Sequence, residues 1–148
     1  MPIYASNKKA TFDYEILQKY EAGIVLSGPE VKSVRNRQIN LNGSFVAFFE
    51  NEAYLTNAHI SKYKYTTQIN YEPERSRKLL LNKKELDYLK EKKLVSGLTI
   101  VPLSVYTSGR KIKLQIAVAK GKKLHDKRHA IKERETKRDM RRALKQYV

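Results

Sequence analysis

Residues 110–121, RKIKLQIAVAKG, alternate between apolar and polar side chains. Ile112, Leu114, Ile116 and Val118 fall on one side, and Lys111, Lys113 and Gln115 on the other. A period of two sends successive side chains to opposite faces of a sheet, so this stretch predicts a half-buried strand. The pattern recurs along the chain. Phe12, Tyr14 and Ile16 alternate with Asp13 and Glu15, and Ala22, Ile24 and Leu26 carry the period on to Gly28-Pro29. FVAFF (45–49), Tyr54-Leu55 and Ala58-His59-Ile60 read as further strands, with a turn expected at Asn51-Glu52. LTIVPLSVY (98–106) is another strand, in which Pro102 lacks an N–H and so predicts an edge position or a bulge.

Helical signals are fewer. PEVKSVRNRQINL (29–41) opens with Pro29 and Glu30, which suit a first helical turn, and Val31 and Val34 can seat a short helix on a core. LLLNKKELDYLKEKK (79–93) is the strongest helix: Asn82 and Glu85 match a capping box, Leu86 and Leu89 share a face, and Gly97 ends the region. Residues 1–10 read as a loose polar arm, and residues 61–78 as a long loop or ragged hairpin. Helices are too few to cover both faces of a parallel sheet, so the expected fold is mainly β: a small closed antiparallel sheet, barrel-like, with two or three short flanking helices and a basic C-terminal tail. The expected division is a body over 1–119 and a tail over 120–148.

Charge narrows the partners. The chain carries a net +16 over 148 residues, and residues 120–148 hold half of that excess, 12 Lys/Arg against 4 Asp/Glu. Such a balance favours a polyanion, and nucleic acid above all. The tail carries an apolar stripe of Ile131, Met140, Ala143, Leu144 and Tyr147, but Arg134, Arg138 and Arg142 repel one another along it. It is expected to be disordered when free and helical when phosphates neutralise the arginines. The N-terminus has no long apolar segment, no stretch approaches a membrane span, and an intracellular, cytoplasmic protein is expected.

Catalysis finds little support. The absence of cysteine excludes thiol catalysis, disulfides and thiolate metal sites. His125 and His129 are four apart, but a metal needs a third ligand and a rigid frame, and the neighbouring lysines repel a cation. His59 reads as a polar surface or interface residue. No phosphate-binding glycine loop is present. No enzyme, no metal and no cofactor are expected. Glu30 has two readings: a helix N-terminal charge, or an acceptor for base amino groups. Lys62-Tyr63-Lys64-Tyr65 offers stacking beside phosphate contact.

Five stretches together carry a specific resemblance: NKKATFDYEI (7–16), YEAGIVLSGPEVKSVR (20–35), PERSRKLLLNKKEL (73–86), GLTIVPLSVY (97–106) and KGKKLHDKRHAIKERE (120–135). In this order they resemble the SsrA-binding protein (small protein B) family, partners of tmRNA in bacterial ribosome rescue. The resemblance implies an oligonucleotide-binding-like barrel whose body binds the tRNA-like domain of tmRNA. It implies RNA contacts at Asn7, Lys8, Glu30, Lys32, Ser33, Arg35, Arg75, Arg77 and Lys78. It implies a ribosome-contacting tail through Lys120, Lys122, Lys123, Asp126, Lys127, Arg128, Ile131, Lys132 and Arg134, with Asp126 expected to fix the tail's exit from the body. Further implied partners are the ribosome, at its small-subunit decoding centre and mRNA channel, and elongation factor Tu, reached indirectly through tmRNA. The expected state is a monomer that needs no membrane. The family's common histidine after the triple leucine is Asn82 here. The alternative reading is a structural ribosomal or general rRNA-binding protein.

Overall fold

A computed structural model describes residues 2–67 and 69–121. The long strands form where period-two alternation is longest. β8 (Leu98–Ser108) and β9 (Lys111–Gly121) make an antiparallel hairpin around the Gly109-Arg110 turn, where Gly109 takes φ +63°. β9 then pairs with β2 (Tyr14–Ile24) from Tyr14↔Gly121 to Gly23↔Lys113. Ile112, Leu114, Ile116 and Val118 all enter the main core, as their spacing predicts. Pro102 stands at a bulge: the β8–β9 register slips between Pro102 and Ser104. A residue that cannot donate a ladder hydrogen bond is thereby tolerated in an interior strand.

The remaining strands are short. β1 (Ile3–Ser6) pairs with β8, β7 (Arg77–Leu80) with β2 and β5, and β4 (Phe45–Phe49) with β5 (Glu52–Thr56). The seven-stranded order is β1-β8-β9-β2-β7-β5-β4; β3 (Ile39–Asn40) and β6 (His59–Ile60) form a separate pair. The turn between β4 and β5 is Glu50-Asn51, one residue earlier than the sequence suggested; both residues have positive φ, 48° and 65°, which a tight two-residue hairpin requires.

The expected closed barrel is corrected to an open sheet. Among the described residues, no ladder joins its end strands β1 and β4. These strands have only four and five residues, and so present few backbone groups for closure. β4 lies beside β8 instead. The class is mainly β with flanking helices.

Three helices flank the sheet. α1 (Lys8–Asp13) occupies what read as a loose arm: Asn7 caps it by accepting the Ala10 N–H at 3.2 Å. The buried Asn7 amide also donates to the carbonyls of Pro102 (3.0 Å) and Leu41 (3.3 Å), tying the arm to the β8 bulge. Ala10 packs against Val101, Leu103, Ala117 and Ala119 on the face of the β8–β9 hairpin opposite the main core. α2 (Gly28–Arg35) starts at a reciprocal capping box between Ser27 and Glu30 and buries Val34. α3 (Lys83–Leu94) starts at Asn82, which accepts the Glu85 N–H at 2.8 Å, and seats Leu89 fully in the core. Leu79 and Leu80, read as the head of this helix, belong to β7, with Leu79 inward and Leu80 outward. Lys120, assigned to the tail, lies in β9 opposite Glu15, so the body extends to Gly121.

Candidate nucleic-acid interface

α2 is fixed to the sheet by one buried carboxylate. Glu30 lies in the first turn of α2, and both its oxygens are occupied. Oε1 accepts the Ser27 N–H at 2.9 Å and a bond from the Arg75 guanidinium. Oε2 accepts Arg77 Nε at 2.9 Å, Arg77 Nη2 at 2.7 Å and the Tyr71 hydroxyl at 3.2 Å. Arg77 is completely buried, and it spends its other donors on the carbonyls of Ala58 (2.8 Å) and Pro73 (2.9 Å). The group therefore clamps α2, the 61–76 loop and β7 together.

Burial alone would push the Glu30 carboxyl up. The Ser27 N–H and the Arg75 and Arg77 guanidiniums outweigh it and hold the group down at about 2. Burial pushes the Tyr71 hydroxyl up, so it remains a donor. This is a charge-assisted arrangement in which two Arg77 nitrogens converge on one carboxylate oxygen and both oxygens have partners, the condition under which a buried ion pair is tolerated.

The expected RNA residues divide by exposure. Glu30, Ser33 and Arg77 are brought together in or beside α2 and β7, but all three are buried. Asn7 is buried at the head of α1, and no bond described here links it to the Glu30 group. Lys8, Lys32, Arg35 and Lys78 are exposed, and the Arg75 side chain retains 40% exposure while it holds Glu30. Lys78 reaches Glu52 at 2.9 Å. Arg35 donates to the Arg110 carbonyl at 3.3 Å, joining α2 to the β8–β9 turn. Glu30 and Arg77 thus join α2 to β7, Asn7 ties α1 to the β8 bulge, and the buried Ser33 hydroxyl has no hydrogen-bond partner among the described residues. Lys122, Lys123, Asp126, Lys127, Arg128, Ile131, Lys132 and Arg134 lie outside the described residues, as do His125 and His129.

Sequence reasoning missed several partners. Tyr71 sits in a loop without periodicity and gave no signal. Ser27 was legible: serine three residues before Glu30 is a capping-box pattern. In the 61–67 stretch, Tyr63 and Tyr65 meet edge to face at 5.4 Å, Lys64 lies 4.8 Å from the Tyr65 ring centroid, and Tyr65 keeps 70% exposure. His59 is exposed, 3.6 Å from Glu74. Among the described residues, no cluster of three or more His, Cys, Asp or Glu could hold a metal, and no helix is long and apolar enough to cross a membrane.

Comparison with known proteins bears on both the frame and the tail. Residues 4–146 match a family model described as SmpB protein. An SsrA-binding protein of Bdellovibrio bacteriovorus is 49% identical over 143 residues, covering 97% of this chain and 94% of the relative. One from Sulfurihydrogenibium is 50% identical with the same coverage, and one from Mycoplasma mycoides is 48% identical over 137 residues, covering 92% and 93%. A solved structure described as "tmRNA-SmpB: a journey to the center of the bacterial ribosome" superposes with a TM-score of 0.70 at 44% identity, covering 86% of this chain and 89% of that one. With the match running unbroken from β1 past the last described strand and into the basic tail, the chain belongs to the SmpB protein family.

Proposed function

We propose that this protein binds the tRNA-like domain of tmRNA and helps deliver it to stalled ribosomes, acting as a non-catalytic adaptor. The family match across residues 4–146 carries the reading. The geometry supports it: the buried Glu30–Arg77 group holds α2 rigid while Lys32, Arg35, Arg75 and Lys78 present positive charge outward. Rigid placement of cations against phosphates is what a structured RNA requires. In this reading Lys8, Lys32, Arg35, Arg75 and Lys78 touch RNA directly. Asn7, Glu30, Ser33 and Arg77 act by positioning them.

Residues 122–148 contact the small-subunit decoding centre and the mRNA channel. A helix of the 27 residues from 122 on would reach about 40 Å, and mRNA already in the channel would exclude it by occupying the same space. Elongation factor Tu joins through tmRNA, and the protein acts as a monomer in the cytoplasm, where ribosomes work.

The test is a titration of the full chain with the tRNA-like domain beside an elongator tRNA of equal length, at about 0.15 M salt. A preference of about tenfold or more, roughly 1.4 kcal/mol, is expected. Equal affinities that fall together with salt would reopen the rRNA-binding reading. Deleting residues 130–148 is expected to spare tmRNA binding and abolish rescue; loss of tmRNA binding would overturn this division of labour.

A further inference from the structure

α3 breaks its own pattern in the last turn. Leu86 and Leu89 face the core, and the next place on that stripe, four residues on, is held by Lys93. Leu94, one place round the helix, is 86% exposed. Lysine thus stands where packing asks for an apolar side chain, and leucine where solvent asks for a charge. The Lys93 side chain is half-buried and reaches over β4, with its Nζ 5.6 Å from the Phe45 ring centroid.

A groove of about 520 Å³ opens at this point, lined by Lys93 and Leu94 with Phe48, Asp87, Lys90 and Glu91. Lys90 donates to the Asn51 side-chain oxygen. Among the described residues no hydrogen bond or ion pair holds the Lys93 amine, although two carboxylates line the same groove. The charged groups of the lining all come from α3: Asp87 and Glu91 favour the ammonium, and Lys90 opposes it. β4, which supplies Phe45 and Phe48, carries no charged residue, and neither does β8, on which α3 packs. Burial pushes the Lys93 amine down from 10.5 to about 8. At neutral pH about a tenth of it is then the free amine, about three hundred times the share of an ordinary lysine.

A desolvated amine on an open groove is the arrangement that makes a lysine nucleophilic. The walls narrow the choice of electrophile. Phe48 and Leu94 suit a short acyl chain, and Lys90 places a cation beside an anionic leaving group. The product amide costs less to keep over Phe45 than the ammonium it replaces.

We propose that Lys93 is an acylation site whose acyl donor is a small acyl phosphate. The free amine attacks the acyl carbon, the bond from that carbon to the bridging phosphate oxygen breaks, and the phosphate leaves with the electron pair. The proton released by the nitrogen passes to solvent, and an uncharged amide remains beside Phe48 and Leu94. The inference does not rest on the RNA-binding reading.

The test incubates the full chain with acetyl phosphate and follows each lysine by peptide mass spectrometry. At about pH 7.5, Lys93 is expected to acetylate at least about tenfold faster than the exposed Lys83 and Lys84 of the same helix. That margin is smaller than the difference in free amine, because a less basic amine is a weaker nucleophile. The Lys93 rate should rise about tenfold between pH 7 and pH 9, where an ordinary lysine amine climbs about a hundredfold. In urea strong enough to unfold the chain the advantage should vanish, because it belongs to the fold. A Lys93 rate no greater than those of Lys83 and Lys84, or an advantage that persists in urea, would overturn the proposal. Leu94→Glu, on the exposed wall of the groove, should slow acetylation of Lys93 at least about threefold and leave Lys83 unchanged. An unaltered Lys93 rate in that variant would overturn the part given to the groove.

Discussion

Replacing Glu30 with glutamine removes one negative charge and almost nothing else. The side chain keeps its length, and its amide oxygen can accept one or two of the bonds that Ser27, Tyr71 and the arginines now donate. The positive charge of Arg77 stays, with a side chain that is 0% exposed and carbonyl partners that cannot neutralise it. Leaving one member of a buried pair uncompensated costs about 3–5 kcal/mol. The titration of Glu30 gives an independent scale. Its carboxyl is held at about 2, below the ordinary 4.5, so the group stabilises the fold fully above 4.5 and loses that contribution as pH falls from 4.5 through about 2. A displacement of that size corresponds to about 3 kcal/mol, in agreement with the first figure. The assay is urea unfolding of Glu30→Gln beside the unmodified chain, followed by circular dichroism at pH 7 and at steps down to pH 3. The variant should be less stable by about 3–5 kcal/mol at pH 7, and its stability should fall less steeply over the acid window. Adding Arg77→Met should restore much of the loss, because the orphaned charge leaves with the arginine. A loss below about 1 kcal/mol at pH 7, or an acid slope unchanged in the variant, would refute the reasoning, since either result means that Arg77 is solvated.

Asn7→Ala removes a cap and the amide donor to the Pro102 carbonyl, while the Leu41 carbonyl keeps the Ser44 N–H, and should cost about 2–3 kcal/mol in chemical denaturation, with faster amide exchange in α1. Lys78→Ala should leave the melting temperature unchanged, because its bond to Glu52 lies on the surface, and should reduce the slope of log affinity against log salt for RNA by about 1. Asn82→Ala should cost about 1 kcal/mol through loss of the α3 cap, with RNA affinity unaltered at temperatures where both proteins are folded.

What could be read in the sequence follows the range of the interaction. The β8–β9 hairpin, the Pro102 bulge and the Asn82 cap rest on neighbours a few residues apart, and the local pattern disclosed them. α1 did not show itself because only Ala10 is buried in it. β7 was hidden by three consecutive leucines, which look helical until Arg77 and Leu79 are seen to share the inward face. The Glu30–Arg77 pair spans 47 residues, and nothing in either neighbourhood says that an arginine in a basic chain will turn inward. Sequence reading treated the exposed and the buried cations alike, because charge count carries no information about direction.

The strand order has a consequence for how the protein is made. β2 finds its long partner in β9, with Glu15 opposite Lys120, and pairs with β7 only at Gly23 and Ile24, while β1 pairs with β8. During synthesis the first quarter of the chain therefore emerges without the strands it needs and waits until nearly all of the body has left the exit tunnel. Pairings of such long range make folding slow and leave unpaired edges exposed in the interval. A copy interrupted before residue 111 would lack β9 altogether, leaving β2 and β8 each with an unfilled edge. Such fragments are expected to be prime material for proteolysis and aggregation. A factor that serves interrupted translation thus depends, for its own folding, on translation that is not interrupted.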